Sequence, residues 1–188
     1  IDLMPNRLPR NPFYYVRHGE TDWNLQGRMQ GQTNIPLNET GREQARQAAG
    51  LLVDLPIVAM VASPLDRAPE TATIIQESLG VPMEIIPEIQ EVYCGKNEGA
   101  EKGRWYTDWL EGELPEDGEA PADFLERILH GMEIALSRPG PVVVVSHGQV
   151  FRTLIKAIDA TLDQHTPNGV PMYLEPAETG WSIRLLTP

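Results

Sequence analysis

Two histidines in this sequence follow apolar runs, and each is followed directly by a glycine. The first is His18, between Arg17 and Gly19, and the second is His147, before Gly148. An imidazole can act as a nucleophile or as an acid–base group near neutral pH, and the planar guanidinium of arginine matches phosphate or carboxylate. Glycine lets the backbone turn tightly beside a ligand. The pattern indicates a site for an anionic substrate, whereas either histidine alone is equally consistent with a hydrogen-bonded turn.

Arg67 is a third candidate for anion binding, because it follows the strand-like run 57–62 and Ser63-Pro64. Serine is a preferred N-cap and proline a preferred first helical residue, so a helix is predicted here. The positive end of that helix and the Arg67 guanidinium would together favour an anion. Pro69 leaves the start of the helix open. It costs a hydrogen bond if the helix starts at Pro64, and it is harmless in the first turn if Asp66 is the cap.

Loop amides and carboxylates add further candidates. The segment 25–34 is rich in glycine and amides and predicts a long loop, which in a compact domain is often functional. Asn24 and Gly31 can donate hydrogen bonds to a ligand. Glu91 and Glu98 are candidates for acid–base chemistry, although a lone glutamate is most often a surface carboxylate.

Alternating apolar runs and amphipathic stretches predict the elements that would position these groups. The run 142–145 holds four consecutive β-branched residues, which is typical of a central strand in a parallel sheet. If it lies beside the strand 13–16, His18 and His147 face each other across one crevice at the carboxyl ends of the strands. Further strands are predicted over 57–62, 83–86, 172–175 and 181–186, and helices over 39–53, 122–137 and 149–160.

The composition narrows the classes of function. The 188 residues carry a formal net charge of −12, which argues against nucleic acid or an anionic membrane as a partner. No run of about 18 apolar residues predicts a membrane span, and the polar residues 1–12 lack the pattern of a secretory signal. The single cysteine, Cys94, fits a reducing cytoplasm. An anionic substrate would therefore need a local cluster of cations and backbone donors.

We predict a single domain over residues 1–188, because this length and a hydrophobic content of 41% suit one core. It carries a short insertion at about 100–121, which is acidic and rich in aromatic residues. Trp105 and Trp109 have helical spacing, and we expect them to anchor the insertion to the core rather than to line a substrate pocket.

Three short motifs together resemble one enzyme family. The motif Arg17-His18-Gly19-Glu20-Thr21 with Asn24, the motif 63–68 and the motif Ser146-His147-Gly148 are similar to those of the histidine phosphatase superfamily. That superfamily includes the cofactor-dependent phosphoglycerate mutases and many small phosphatases. The resemblance covers residues 14 to about 158. It implies an α/β fold, namely a three-layer α/β/α sandwich with a mostly parallel central sheet.

The resemblance also implies a role for each matching residue. His18 would be the nucleophile that becomes phosphohistidine, and Glu91, four residues before Gly95, would be the general acid, with Glu98 as the second candidate. The groups that would bind the phosphoryl oxygens are the side chains of Arg17, Asn24, Arg67 and His147 and the backbone at Gly31 and Gly148. Such groups can stabilise the charge of a phosphoryl group in transfer without a metal ion.

We therefore predict a phosphomonoesterase that hydrolyses small phosphorylated metabolites through phosphohistidine and needs no cofactor or metal ion. A zinc site built from His18, His147 and Glu91 is conceivable, but Arg17 and Arg67 would place two positive charges beside the cation.

Two alternatives stay open at this point. The first is a mutase-like phosphotransferase. The family's mutases carry a longer insertion with a basic cluster for the substrate carboxylate, whereas this insertion offers Lys102 and Arg104. The second is a protein that binds a phosphorylated ligand without turnover. Cys94 and Asn97-Glu98-Gly99 stand where the family commonly has an aromatic residue and Trp-Glu-Gly. The oligomeric state is not predicted.

Overall fold

A six-stranded sheet forms the centre of the computed structural model, which describes residues 7–188. Its strands in chain order are β1 (Phe13–Arg17), β2 (Ala59–Ala62), β3 (Met83–Ile85), β4 (Val142–Ser146), β5 (Met172–Pro176) and β6 (Trp181–Leu185). The spatial order is β3-β2-β4-β1-β5-β6. The neighbours among β3, β2, β4 and β1 pair in parallel, and β5 runs antiparallel to both β1 and β6. The prediction of a mostly parallel sheet is confirmed.

The predicted central strand is β4, which pairs on one side with β2 and on the other with β1. All five of its residues are buried. In its register with β1, Arg17 lies opposite Ser146. The His18 amide continues this pairing by donating to the Ser146 carbonyl oxygen at 2.9 Å. The two motifs that contain His18 and His147 therefore leave the sheet side by side.

Six α-helices lie within residues 7–188: α1 (Asp22–Leu25), α2 (Glu39–Leu52), α3 (Arg67–Leu79), α4 (Arg104–Leu110), α5 (Pro121–Leu136) and α6 (Gly148–Ala157). Asn38 caps α2 as predicted, because its side-chain oxygen accepts from the Gly41 amide at 2.8 Å. The start of α3 is also settled. The helix begins after Asp66, so Pro69 lies in its first turn.

The helices cover both faces of the sheet. Tyr14 and Val16 point into a core shared with α2 and α3, whereas Phe13 and Tyr15 point into a second core shared with α5 and α6. This alternation along β1 follows from the two-residue period of a strand. The architecture is therefore the predicted three-layer α/β/α sandwich. None of the helices in residues 7–188 is both long and apolar enough to span a bilayer.

The segment predicted as an insertion contains α4 and packs against the α5 side of the sheet. The Trp109 ring lies 5.8 Å from the Phe124 ring, and its Nε1 donates to the Glu119 carbonyl oxygen at 2.8 Å. Trp109 is buried and Trp105 is partly buried against the same core. Both tryptophans thus anchor the insertion, as expected from their spacing.

Candidate active site

A cavity of about 880 Å³ opens where β1 and β4 end, as expected for an open α/β sheet. His18 lines this cavity, and the ring of His147 lies behind it, fully buried, with its centroid 5.2 Å from that of His18. The predicted site residues that line this cavity are Arg17, His18, Asn24, Gly31, Arg67, Glu91 and Gly148. Segments far apart in the sequence therefore place the predicted groups around one space.

Hydrogen bonds fix the tautomer of His18. Its Nδ1 lies 2.7 Å from the Gly19 carbonyl oxygen, to which it can only donate. Its Nε2 lies 3.3 Å from Nε of Arg67, which is a donor, so Nε2 carries a lone pair. Burial first, and then the charges of Arg67 and Arg17, lower the pKa of His18 well below 6.5. The ring is therefore neutral and nucleophilic at Nε2 near neutral pH.

Contacts to the backbone hold this imidazole in place. The Gly19 amide donates to Oγ1 of Thr71 at 3.0 Å, and Nδ2 of Asn168 donates to the His18 carbonyl oxygen at 3.0 Å. Thr71 stands one turn after Arg67 on α3. The loop that carries His18 is thus tied both to α3 and to the segment before β5.

Arg67 is fully buried at the first position of α3. Its Nη1 and Nη2 donate to the carbonyl oxygens of Thr33 and Gly31 at 2.9 and 2.7 Å. Burial lowers its pKa to about 10, so it remains a cation at neutral pH. A fixed positive charge beside His18 suits the stabilisation of a phosphoryl group in transfer.

Two buried side-chain nitrogens among the described residues have no hydrogen-bond partner, namely Nε of Arg17 and Nδ1 of His147. Another nitrogen of each side chain does have a partner. Nη1 of Arg17 donates to the Thr166 carbonyl oxygen at 2.7 Å, and Nε2 of His147 lies 2.6 Å from Oγ of Ser63. An unpaired buried polar group costs about 1–3 kcal/mol. An anion within hydrogen-bonding distance would satisfy either nitrogen.

Glycine at position 148 lets Arg17 lie against the start of α6. A Cβ at Gly148 would stand 3.1 Å from Nε of Arg17, which is tighter than ordinary van der Waals contact. Gly148 is the first residue of α6, and exposed N–H groups at a helix N-terminus favour anions. The position predicted to contribute backbone to the pocket therefore lies beside an unpaired guanidinium nitrogen.

Glu91 lines the cavity and is 7% exposed. Its Oε1 accepts from the Val92 amide at 2.9 Å, and its Oε2 accepts from the Gln149 amide of α6 at 3.1 Å. Burial raises the pKa of the Glu91 carboxyl, although these two hydrogen bonds and the charges of Arg67 and Arg17 oppose the shift. A buried carboxyl with a raised pKa can hold a proton for a leaving group.

Glu98 has a different place in the structure. It is not among the described residues that line the cavity. Its Oε1 accepts from the Gln32 amide and its Oε2 from Oγ1 of Thr33, both at 2.6 Å. Because the carbonyl oxygens of Gly31 and Thr33 hold Arg67, Glu98 braces the loop that positions this arginine.

Asn24 uses its side-chain oxygen within the protein. Oδ1 accepts from the Thr21 amide at 3.1 Å and from Nδ2 of Asn168 at 3.2 Å. Both bonds turn the Asn24 amide group the same way, so its N–H groups are those offered to a ligand in the cavity it lines.

Several residues of this site were not predicted from the sequence. The segment 162–168 lines the cavity, although its polar composition gave no signal beyond that of a loop. The missed residues with direct contacts to the predicted groups are Ser63, Thr71, Gln149, His165, Thr166 and Asn168. Ser63 was interpreted as a cap, yet its position after β2 could have indicated a contact with His147.

No group of three or more His, Cys, Asp and Glu side chains within residues 7–188 is arranged so that it could hold a metal ion. The charged groups nearest to His18 are guanidiniums, which suit an anionic reactant.

Comparison with known proteins gives a family and an overall likeness. Residues 13–186 match the model of the histidine phosphatase superfamily, branch 1. Among solved structures, TTHB049 from Thermus thermophilus has a TM-score of 0.77 and 31% identity, covering 94% of this chain and 100% of that one.

The curated relatives include proteins named as phosphatases and proteins named as phosphoglycerate mutases. An uncharacterized phosphatase, PhoE of Bacillus subtilis, is 35% identical over 90% of each chain. A probable phosphoglycerate mutase, GpmB of Erwinia tasmaniensis, is 33% identical over 77% of this chain and 73% of its own. A metal-independent phosphoserine phosphatase of Arabidopsis thaliana is 37% identical over 74% of this chain and 65% of its own.

Proposed function

We propose a function that proceeds from one fact: the chain belongs to the histidine phosphatase superfamily. The protein is a phosphatase that hydrolyses small phosphomonoesters. The phosphoryl group is transferred first to His18 and then to water. The observation that carries this proposal is the geometry of that ring. Nδ1 is bonded to the Gly19 carbonyl oxygen, while Nε2 carries a lone pair beside Arg67.

In the first step, Nε2 of His18 attacks phosphorus and the bond between phosphorus and the ester oxygen breaks. The electron pair of that bond stays on the leaving oxygen, which takes a proton from Glu91. Arg17, Arg67 and Nδ1 of His147 contact the phosphoryl oxygens. His147 can donate from Nδ1 when the Ser63 hydroxyl donates to its Nε2. Fixed donors around the phosphoryl oxygens supply the charge stabilisation on which phosphoryl transfer depends.

In the second step, the Glu91 carboxylate takes a proton from water while the water oxygen attacks phosphorus. The bond between phosphorus and Nε2 breaks, and its electron pair returns to His18. Inorganic phosphate leaves, and Glu91 is protonated again for the next cycle. The burial of Glu91 and its place in the cavity support this role over Glu98, which braces the loop of residues 31–33.

The phosphotransferase alternative is disfavoured by the place of Arg104. This residue pairs with Asp108 at 3.5 Å, is almost fully exposed and does not line the cavity. Of the two basic residues that the insertion offers, Lys102 alone lines the cavity. A positional exchange assay, in which a labelled phosphoryl group moves between two hydroxyls of one substrate, distinguishes a mutase from a hydrolase.

A steady-state assay tests the hydrolase directly. We expect the wild-type protein to hydrolyse 4-nitrophenyl phosphate in the presence of EDTA, and His18→Ala to lose the activity while it keeps its circular dichroism spectrum. His130→Ala is the control, because His130 is an exposed histidine outside the cavity. Turnover by His18→Ala at the wild-type rate would contradict the assignment. Tight phosphate binding without turnover in the wild type would favour the non-catalytic alternative.

The same proposal includes the location of the enzyme in the cell and the absence of a nucleic-acid partner. A single cysteine supports a cytoplasmic location, and the net charge of −12 supports the absence of a nucleic-acid partner. Cell fractionation with a specific antibody would test the location.

A further inference from the structure

The backbone around Glu91 depends on side chains from elsewhere in the chain. Residues 90–94 lie outside the helices and strands of the described structure. The Glu91 carbonyl oxygen accepts from Nε2 of Gln32 at 3.2 Å and from Nη2 of Arg127 at 3.3 Å. Both donors are distant from Glu91 in the sequence. The position of the proposed proton donor is therefore determined by contacts with other segments rather than by a helix or strand of its own.

Arg127, on α5, directs its whole guanidinium at this segment and at Glu119. Nη1 donates to the carbonyl oxygens of Glu88 and Gln90 at 2.7 and 2.9 Å, and Nη2 donates to that of Glu91. Nε and Nη2 also form a bidentate pair with the two carboxylate oxygens of Glu119, both at 2.7 Å. These five hydrogen bonds use every N–H of the planar guanidinium fork.

Glu119 binds the backbone on the other side of Glu91. Its Oε2 also accepts from the Tyr93 amide at 3.2 Å, and its own amide donates to the Tyr93 carbonyl oxygen at 2.8 Å. The side chains of Arg127 and Glu119 are 21% and 14% exposed, so water and salt screen this pair little. Together the two residues fix the backbone both before and after Glu91. Because Glu119 belongs to the insertion, they also join the insertion to the proposed proton donor.

The close approach of α5 to this segment also depends on Gly131, one turn after Arg127. A Cβ at Gly131 would stand 2.8 Å from Cβ of Glu88 and 2.8 Å from Cγ2 of Ile89, which is too close for real Cβ atoms. Glycine at this position lets the helix lie against residues 88 and 89. Arg127 is thereby near enough to bind three carbonyl oxygens of the segment.

We propose that Arg127 and Glu119 are positioning residues, which hold the backbone of residues 88–93 so that the Glu91 carboxyl lies beside the leaving oxygen of a substrate on His18. This inference rests on the proposed function and adds to it two described residues that lie outside the lining of the cavity. Misplacing a catalytic group by about 1 Å can cost about 100-fold in rate. The hydrogen bonds of Arg127 and Glu119 oppose such a shift of Glu91.

Two esters with different leaving groups distinguish positioning from general stability. Ethoxide needs a proton to leave, whereas 4-nitrophenolate needs little protonation, so ethyl phosphate depends more strongly on a correctly placed Glu91. We expect Arg127→Lys to lower kcat/KM at least about tenfold for ethyl phosphate and less than about threefold for 4-nitrophenyl phosphate. Lysine keeps the positive charge and lacks the planar fork. The ratio of the two values does not depend on the amount of folded enzyme.

A second variant and a double variant show whether the effect acts through Glu91. Glu119→Gln should lower the same ratio, and it provides the test if Arg127→Lys does not fold. In the Glu91→Gln background, Arg127→Lys should leave the ratio unchanged, because a positioning residue has no selective effect once the group that it positions is removed.

Arg138→Lys is the matched control. Nε of Arg138 donates to Oε2 of Glu84 at 2.7 Å, and its Nη1 donates to the Ile134 carbonyl oxygen at 2.6 Å, at a place outside the lining of the cavity. Arg138 thus binds a carboxylate and a carbonyl oxygen, as Arg127 does. The same substitution at this position should keep the wild-type ratio of the two kcat/KM values.

The outcomes separate this inference from the proposed function. If Arg127→Lys keeps the wild-type ratio, or lowers the ratio as much in the Glu91→Gln background as in the wild type, the positioning role is wrong and the phosphatase stands. If the wild type hydrolyses neither ester, the proposed function fails, and ¹³C NMR titration of the carboxyl groups then tests the positioning role.

That titration needs no turnover, and the Glu91 signal is identified by its loss in Glu91→Gln. Burial raises the pKa of Glu91 in the folded protein. A segment released by Arg127→Lys exposes this carboxyl to water, so its pKa should fall toward the ordinary value of about 4.3. A pKa of Glu91 that Arg127→Lys leaves unchanged would overturn the positioning role.

Discussion

At the scale of single residues, the proposed mechanism uses two groups with opposite pKa shifts. Burial and neighbouring cations lower the pKa of His18, whereas burial raises the pKa of Glu91. The first shift favours the neutral imidazole that the proposed nucleophile requires, and the second favours the protonated carboxyl that the proposed acid requires. Pairs of titratable groups whose environments separate their pKa values are a common basis for acid–base assignments in enzymes.

The pH dependence of kcat/KM tests the role of Glu91. In the proposed mechanism, catalysis needs the protonated form of Glu91, which is present below its raised pKa and is lost as the pH rises through that value. We expect Glu91→Gln to slow the hydrolysis of ethyl phosphate by at least about 100-fold and to remove the alkaline decline that this carboxyl causes. An aryl phosphate should lose less, because its leaving group needs little protonation.

Glu98→Gln is the matched control for that experiment. It makes the same change from carboxyl to amide at a residue that braces the loop of residues 31–33, and its profile should keep the alkaline decline. If instead Glu98→Gln removes the decline and Glu91→Gln keeps it, the two assignments must be exchanged. Ionisation of the substrate affects all three proteins equally and cancels in the comparison.

At the scale of elements, tight contact between α2 and the loop after β1 helps to position His18. A Cβ on Gly41 would overlap the carbonyl oxygen of Glu20, and one on Gly19 would overlap the Gly41 backbone. Both glycines are therefore needed for the close approach of two backbones rather than for an unusual turn. Asn38, the cap of α2, reaches the same loop, because its Nδ2 donates to Oε1 of Glu20 at 3.0 Å.

Two substitutions on α2 test this contact against helix propensity. Gly41→Ala should lower both the free energy of unfolding and the phosphatase activity, because the loop that carries His18 must shift. Gly50→Ala, on the same helix with open space around the position, should raise the free energy of unfolding by about 0.5–1 kcal/mol. Urea denaturation and the 4-nitrophenyl phosphate assay measure both effects. Equal responses of the two variants would refute the packing argument.

The elements were predicted well where a local pattern determines them. The β-branched run of β4 predicted a central parallel strand, and Asn38 predicted the start of α2. The convergence of His18 and His147 followed from two strands that end at one edge of the sheet. The start of α3 stayed open, because Pro64 and Asp66 are both acceptable beginnings by local rules; in the structure the helix begins after Asp66.

Contacts between distant loops could not be predicted in this way. Asn168 bonds to His18 and Asn24 across about 150 positions of sequence, and Glu98 braces a turn that holds Arg67. Such bonds depend on how loops meet in three dimensions. Hydrophobic periodicity and turn residues are local patterns, so they do not predict these bonds. The wall of the cavity formed by residues 162–168 was missed for the same reason.

At the scale of the whole molecule, two buried neutral imidazoles link folding to pH. Burial lowers the pKa of both His18 and His147 well below 6.5. The unfolded chain binds protons on these residues below about pH 6.5 while the folded protein does not. The stability that arises from this difference in histidine pKa between the folded and unfolded states is therefore present above about pH 6.5. It is lost as the pH falls toward the pKa values of the folded protein.

Urea denaturation at several pH values measures this linkage. Each histidine contributes at most about 1.4 kcal/mol per pH unit between its unfolded and folded pKa values. We expect the fall in the free energy of unfolding between about pH 7 and 6 to be smaller in His147→Gln than in the wild type. His130→Gln, which removes an exposed histidine, should leave the fall unchanged. If the free energy of unfolding falls as steeply with pH in His147→Gln as in the wild type and His130→Gln, the link between buried His147 and stability is wrong.

The acidic surface and the basic cavity have a joint consequence for the whole protein. The net charge of −12 repels anions at long range, whereas the cations that line the cavity attract them at short range. Salt screens the long-range repulsion more strongly than a contact inside the cavity. Moderate ionic strength should therefore disfavour binding of an anionic substrate less than it would at a basic surface patch.

We propose, above all, that a phosphoryl group is covalently attached to Nε2 of His18 during turnover. Rapid mixing with a ³²P-labelled phosphomonoester, alkaline quenching and peptide mass spectrometry test it directly. We predict a label on the peptide that contains His18, stable to alkali and labile to acid, that forms and decays within the catalytic cycle. Direct transfer to water, seen as full turnover with no labelled His18 at any time, would contradict the account.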